Sequence, residues 1–415
     1  MGTAILLRGA RREGGALDAI EAFATSRGGA FAPLASRAED EDGRPLLALA
    51  IHPAAEPVRV VDLGRDRIVV EATTGTAGPG YHAHVAELLH AASDALGIVW
   101  DHVEDESGYF ESRDRRALED ATKIWLATTA MEILALHTRG VRGLQLSLPE
   151  GTLFEHAGVL ATPMGPRDLA WIERVARSPG DGIDVFPWWH PGEGAQTLRD
   201  AAIAAMWIDV RWRPPLLDAE RALFERILSW LDRGQTLAPD LEWPWREQSE
   251  LLERLGEDSL RATRVHLRAS ALPPAAAIGY RRNPVRVTLS GGWSMRVPGE
   301  LAERWEERGT WVAWDASRSV WFNSLEVEGT AGTDETLAAL PEIEGEGDLM
   351  GFQRGALRAV ARFAEGEEDG QRLVQLHAHA ALGAHAAFGT VVITKDEDRE
   401  WALETWSSLV HLDER

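Results

Sequence analysis

The sequence predicts a multidomain α+β / α/β protein with an N-terminal α/β region, a tryptophan-rich helical middle and a C-terminal antiparallel sheet with packed helices. Three observations carry that expectation. At 415 residues the chain exceeds what one ordinary hydrophobic core holds, which suggests two or three domains. Its apolar residues are spaced as strands in some blocks and as helices in others. Eight of the 17 tryptophans fall between Trp171 and Trp245, inside a block of helical spacing.

The first region, residues 1–150, is expected to be α/β. Ile5-Leu6-Leu7 forms a short strand, and Leu17, Ile20 and Phe23 then mark one helical face. Leu46 to Ile51, Val58 to Leu63 and Ile68 to Val70 form strands between Gly, Pro and charged turns. After Gly78-Pro79-Gly80, the residues Val85, Leu88, Leu89, Ala92 and Leu96 share one face of a helix. A longer helix over about 112–136 is apolar around much of its circumference, which predicts deep burial.

Residues 151–262 are expected to be a helical region packed on the first. Ile203, Met206, Trp207 and Val210 repeat at helical spacing, as do Leu223, Phe224, Ile227, Leu228 and Leu231. Pro214-Pro215 stops the first of these helices, and Asp218 is placed to cap the second. The indoles bury large areas and carry much of the packing. Residues 263–284 form a connector, extended at Leu272-Pro273-Pro274 because proline keeps its preceding residue out of the helical region.

The last region, 285–415, is expected to be α+β. Val285 to Leu289, Trp293 to Val297, Trp311 to Trp314 and Val320 to Val327 have strand character. A Gly- and acid-rich loop spans Glu328 to Asp348, and a helix is expected through Leu357, Val360 and Ala361. Strands return at Leu373 to Leu376 and Phe388 to Ile393. A final helix after Thr394 places Leu403, Trp406 and Val410 on one face. No internal repeat has a fixed period.

Gly292, Trp293, Val297 and Pro298 open this last region. Thr390-Val391-Val392-Ile393-Thr394, Trp401-Ala402-Leu403 and Trp406-Ser407-Ser408-Leu409 close it as a strand and a helix. In that layout, residues 285–412 resemble PsbP-like α/β/α sandwich domains. The resemblance implies a small binding and assembly module and carries over no catalytic residue; the acidic loop from Glu328 departs from it.

Composition narrows the function classes. With 66 acidic against 43 basic residues the net charge is −23, which repels phosphate backbones and argues against nucleic-acid binding. The same charge serves solubility, or steers a partner with a basic surface. There is no cysteine, hence no disulfide or thiolate chemistry. The N-terminal apolar run is too short for a signal peptide, and no stretch of about 18 apolar residues predicts a membrane span. A cytoplasmic protein without membrane contact is the expectation. Richness in Ala, Arg, Gly and Trp suggests a GC-rich bacterial source.

The most conspicuous local pattern, Thr73 to His84, sits between a strand and a helix. Amides there could hold an anion, yet the spacing matches neither a dinucleotide fingerprint nor a P-loop. The glycines serve equally well as a tight turn over Tyr81. His82 and His84 are weak catalytic candidates and would chelate a metal only from an extended segment, with Glu71 or Asp101 as third ligand. His377 and His379, with His385 nearby, raise the same question on a strand. No metal and no cofactor is expected.

The aromatic-proline knots Phe186-Pro187-Trp188-Trp189-His190-Pro191 and Trp243-Pro244-Trp245 are partner anchors if exposed and loop plugs if buried. Candidate binding residues are therefore Tyr81, Trp188, Trp189, Trp243, Trp245 and the acidic Glu344, Glu346 and Asp348. No Gly-x-Ser-x-Gly and no His-Glu-x-x-His occurs. The leading expectation is a non-enzymatic protein-binding protein, such as a toxin-neutralising immunity factor or an adaptor chaperone. The alternatives are a hydrolase or nucleotide-handling enzyme centred on Gly78 to His84, and a small-ligand sensor with an aromatic pocket in the central region.

Overall fold

The computed structural model describes residues 4–11, 15–306, 309–329, 332–343, 345, 348–368 and 370–412. They form an α+β multidomain protein of two compact units that interleave along the chain. The first unit runs to Pro149 and then takes Ala157–Val210 and Ala219–Tyr280. The second takes Glu150–His156, Arg211–Asp218 and the chain from Arg281. Short segments inside the stretches 1–150, 151–262 and 263–284 thus belong to the second unit, together with 285–415.

In the first unit, β1 (Ala4–Arg11), β2 (Leu34–Glu39), β3 (Pro45–Ala50), β4 (Val58–Gly64), β5 (Arg67–Thr73) and β6 (Ile98–Asp105) build one sheet. Its order is β2-β3-β4-β5-β1-β6, with every neighbour antiparallel. Alternate residues point inward, as at Ile5 and Leu7 of β1 and Ile68, Val70 and Ala72 of β5. Helices α1 (Ala16–Arg27) and α2 (Pro79–Leu96) meet the inward side, where Ile20, Leu89 and Ala92 face Leu49, Val58 and Val60.

A short α3 (Tyr109–Ser112) leads to α4 (Arg115–Thr138), whose first amides are capped by the Asp114 carboxylate. Deep burial of α4 is corrected. Only the stripe Leu118, Thr122, Leu126, Ala130 and Ile133 is buried, while Ile124, Met131 and Leu136 are exposed. The buried positions recur every three or four residues, and that one stripe packs on α5 (Leu169–Arg177). Between these helices β7 (Leu144–Gln145) pairs in parallel with β9 (Leu160–Ala161), whereas β8 (Thr152–Leu153) belongs to the second unit.

Helices α6 (Ala195–Ile208), α7 (Asp218–Leu237), α8 (Trp245–Arg254) and α9 (Leu260–Ser270) complete the helical layer. Asp218, expected as the cap of this helix, is the first residue of α7. Helix α9 occupies part of the expected connector; Ser259 caps it by accepting from the Ala262 N–H.

The second unit holds two antiparallel sheets. The smaller has the order β19 (Val410–His411), β11 (Trp293–Val297), β10 (Val285–Thr288), β8. The larger joins β12 (Ala302–Trp305), β13 (Trp311–Trp314), β14 (Arg318–Glu326), β15 (Met350–Arg354), β16 (Leu357–Glu368), β17 (Gln371–Leu382) and β18 (His385–Ile393). Its order is β12-β13-β14-β18-β17-β16-β15. The helix expected through Leu357, Val360 and Ala361 is the strand β16. Leu357, Ala359 and Ala361 are buried in strict alternation, a period-two pattern that small alanines make easy to miss. Helix α10 (Thr333–Ala339) lies within the expected acidic loop. Helix α11 (Arg399–Ser407) ends before Val410, which is in β19. Among the described residues, no helix is long and apolar enough to cross a membrane.

Candidate functional site

Two conspicuous sequence motifs prove to be halves of one structure in the first unit. Gly78, at φ +108°, precedes Pro79 at the start of α2. The Trp188 N–H donates to the Ala77 carbonyl at 2.9 Å, and the Gly80 N–H donates to the Trp188 carbonyl at 2.9 Å. A Cβ on Gly80 would stand 2.5 Å from the His190 carbonyl oxygen and 2.7 Å from that of Trp188. The Arg115 guanidinium clamps the junction by donating to the carbonyls of Pro79 and Trp189. The glycines therefore permit backbone-on-backbone packing, and the Gly80 amide at the α2 N-terminus is already used. Gly80→Ala is expected to cost about 1–3 kcal/mol, as overpacking does, measured by denaturant unfolding. Wild-type stability in that variant would refute the close packing.

His82 and His84 diverge because they sit on a helix. His82 is buried in a closed network. Its Nδ1 lies 2.7 Å from the Thr74 hydroxyl, and its Nε2 lies 3.0 Å from Ser107 Oγ and 3.3 Å from Asp105 Oδ2. Ser107 Oγ donates to Asp105 Oδ1 at 2.7 Å and accepts from the Tyr109 N–H, while Asp105 Oδ2 accepts from the Phe110 N–H. These roles agree if His82 donates from Nε2 and accepts from Thr74 at Nδ1. The serine proton then points at Asp105, so Ser107 is not aligned as a nucleophile toward His82. The network pins the turn between β6 and α3 onto α2.

Burial opposes the charge on Asp105, but hydrogen bonds from His82, the Phe110 amide and Ser107 prevail and hold its carboxyl well below the usual range. A depressed carboxyl stabilises above the unfolded value near 4, and that contribution fades as pH falls below it. Asp105→Asn is expected to lower stability at pH 7 and to flatten its decline below about pH 4. An unchanged acid profile would show that Asp105 is not the group responsible.

His84 lies against Trp188 with ring centroids 4.8 Å apart, and burial lowers its pKa. Beside it, His52, Tyr81, Trp188 and Phe31 form a buried aromatic nest. The Ala54 N–H donates to His52 Nδ1, and the pKa of His52 falls to about 3 through burial, Arg226 and His84. Among the described residues, His52 Nε2, Tyr81 Oη and Trp188 Nε1 are buried without hydrogen-bond partners.

The accessible part of this region is a groove of about 430 Å³ against α6, within the size range of ligand pockets. Its aromatic lining comes from Phe186, Trp189 and Trp207, and its polar lining includes Arg167, His190 and Asp200. Trp207 lies against Tyr280 with ring centroids 4.7 Å apart and planes tilted by 44°, and the Tyr280 hydroxyl donates to the Thr162 carbonyl. Asp200 is buried; burial raises its pKa, and the neighbouring Arg199, 2.8 Å away, opposes the rise. Arg167 pairs with Asp184 through Nη2, while its Nε is buried without an acceptor among the described residues.

The other sequence candidates are dispersed. Tyr81, Trp188 and Trp243 are buried, which removes them as surface anchors, and Trp189 is nearly buried with its reachable edge on the groove. Trp245 is half-buried and lines a second cleft. Asp348 is exposed, and Glu344 and Glu346 lie outside the described residues. Glu71 and Asp101 are engaged by Arg59 and Arg67 instead of by the histidines. His377 and His379 share a face of β17, where His377 faces Thr390 and His379 packs edge-on to Phe388. Among the described residues no three His, Asp or Glu side chains gather in metal-binding geometry.

Sequence reasoning missed Asp200, Arg167 and Ser107. The signal for Asp200 was present: a carboxylate beside Leu198, Ala201, Ala202 and Ala205, on the buried side of α6.

No family model matches the chain, and no curated protein matches it. Among solved structures, a crystal structure from Bacteroides thetaiotaomicron VPI-5482 aligns at 12% identity with a TM-score of 0.26. That alignment covers 31% of this chain and 48% of the other. The match spans about half the length of that protein, and a likeness this slight bears on neither fold nor function.

Proposed function

We propose that this is a non-enzymatic cytoplasmic binding protein that takes a small molecule in the groove lined by Trp189, Trp207 and Asp200. The observation that carries the reading is the combination of aromatic walls with the buried Asp200 carboxyl and the Arg167 guanidinium in one groove. Such a site suits a ligand with a flat apolar body, a donor for Asp200 and an acceptor for Arg167. In the His82 network the Ser107 hydroxyl donates to Asp105 and not to His82, so it is not aligned as a serine nucleophile. The PsbP-like resemblance of residues 285–412 fits a binding role as well.

A thermal-shift screen of small polar aromatic molecules tests this. A ligand at 100 times its Kd is expected to add about 2.7 kcal/mol of stability. Asp200→Asn and Trp207→Ala should each weaken that hit at least about tenfold, the loss of one buried polar or aromatic contact. A hit insensitive to both variants, or no hit at all, would overturn the groove as the site.

The net charge of −23 favours a second reading, a protein partner with a basic surface, as for an immunity factor or adaptor chaperone. That partner should co-purify at low salt and be released as salt rises. Salt-insensitive isolation of the protein alone would count against it.

A further inference from the structure

We propose that a second site in the first unit, the cleft between α7 and α9, binds a small phosphorylated molecule. The cleft has a volume of about 370 Å³ and is lined by Trp245, Asp232, Arg261, Arg264 and Arg268. The three arginines stand at positions i, i+3 and i+7 of α9 and so share one helical face. Arg261 is already neutralised, with Nη2 at 2.7 Å from Asp232 and Nη1 at 3.5 Å from Glu257. Arg264 makes only a bond from Nε to the Leu260 carbonyl, and Arg268 lies over the Trp245 ring, 4.6 Å from its centroid. Among the described residues neither of these two makes an ion pair.

Arg264 and Arg268 share one face of α9 without an ion pair among the described residues, although the Asp232 carboxylate acts on Arg264 at longer range. Their mutual repulsion is offset by an anion placed between them, and the guanidinium fork matches the oxygens of a phosphate. The one lining carboxylate, Asp232, is tied to Arg261 and partly buried, so it offers the anion little opposition. Trp245 supplies a flat apolar wall beside the cations, which suits a phosphate ester carrying a planar group.

Calorimetric titration of the full chain with ADP, pyrophosphate and adenosine tests the assignment. ADP and pyrophosphate are expected to bind, more weakly as salt rises, and adenosine is not. R264Q/R268Q should weaken ADP at least about tenfold while leaving the unfolding midpoint within about 2 °C, as expected for exposed side chains. R264Q alone should fall between the two. Asp200→Asn, in the other groove, should leave the titration unchanged, which separates this site from the one proposed above. Absence of ADP and pyrophosphate binding, or equal affinity in R264Q/R268Q, would overturn the proposal.

Discussion

Trp188→Ala is expected to cost about 3–5 kcal/mol of folding stability, the range for removing a fully buried aromatic. The side chain has no accessible surface and touches Phe31, His84, Tyr81 and His52 at ring separations of 4.4, 4.8, 5.7 and 5.8 Å. Its backbone is held by hydrogen bonds to Ala77 and Gly80, so the chain around the vacated volume cannot simply close in. That places the cost toward the upper end. Trp188→Phe, which refills part of the volume and removes an unpartnered indole N–H, should recover more than half of the loss. Urea unfolding at pH 7.5 measures both. A loss under about 1 kcal/mol for Trp188→Ala would mean that the nest is loosely packed and the motif from Gly78 is anchored elsewhere.

Acid should destabilise the first unit in a window that His52 defines. The unfolded imidazole takes up a proton near pH 6.5, whereas in the fold burial, the Arg226 guanidinium and His84 hold that pKa at about 3. Between those values the unfolded state binds the extra proton. Stability is therefore full above about pH 6.5 and falls as pH drops toward 3. At about 1.4 kcal/mol per unit the loss across the whole window is on the order of 5 kcal/mol. Arg226 cannot relieve it, because its guanidinium is itself partly buried and donates to the carbonyls of Ala32 and Ile51. His52→Asn keeps an acceptor for the Ala54 amide and has no titration, so its stability should fall less steeply than wild type from pH 6.5 to 4.5, with His84, whose pKa burial also lowers, supplying part of the remaining slope. An equal slope in wild type and variant would assign the acid sensitivity to other groups.

Much of the fold was legible because its signals are local. Alternation at Ile68 and Val70, helical spacing from Val85 to Leu96 and the Gly-Pro-Gly start at Gly78 each specify an element within a few residues. Elements were misread where small residues blur the period. Leu357, Val360 and Ala361 satisfy a helical spacing, but Leu357, Ala359 and Ala361 alternate, and pairing with β17 settles the strand. The aromatic groove was only half legible. Trp189 announces itself, whereas Asp200 and Arg167 matter through neighbours far away in sequence. The Gly78 motif and the Phe186 knot each stand out alone, yet their purpose is mutual, and a contact across more than a hundred residues leaves no trace in either segment.

The interleaved course of the chain has a consequence for synthesis. Strand β8 emerges from the ribosome with the first unit unfinished, yet its pairing partner β10 is made only after that unit's last helix has appeared. Through that interval Thr152 and Leu153 hold their hydrogen-bonding groups open to whatever strand comes near. Truncation between the expected linear regions would leave them permanently so, and fragments cut at 262 or 284 are therefore poor substitutes for the whole chain.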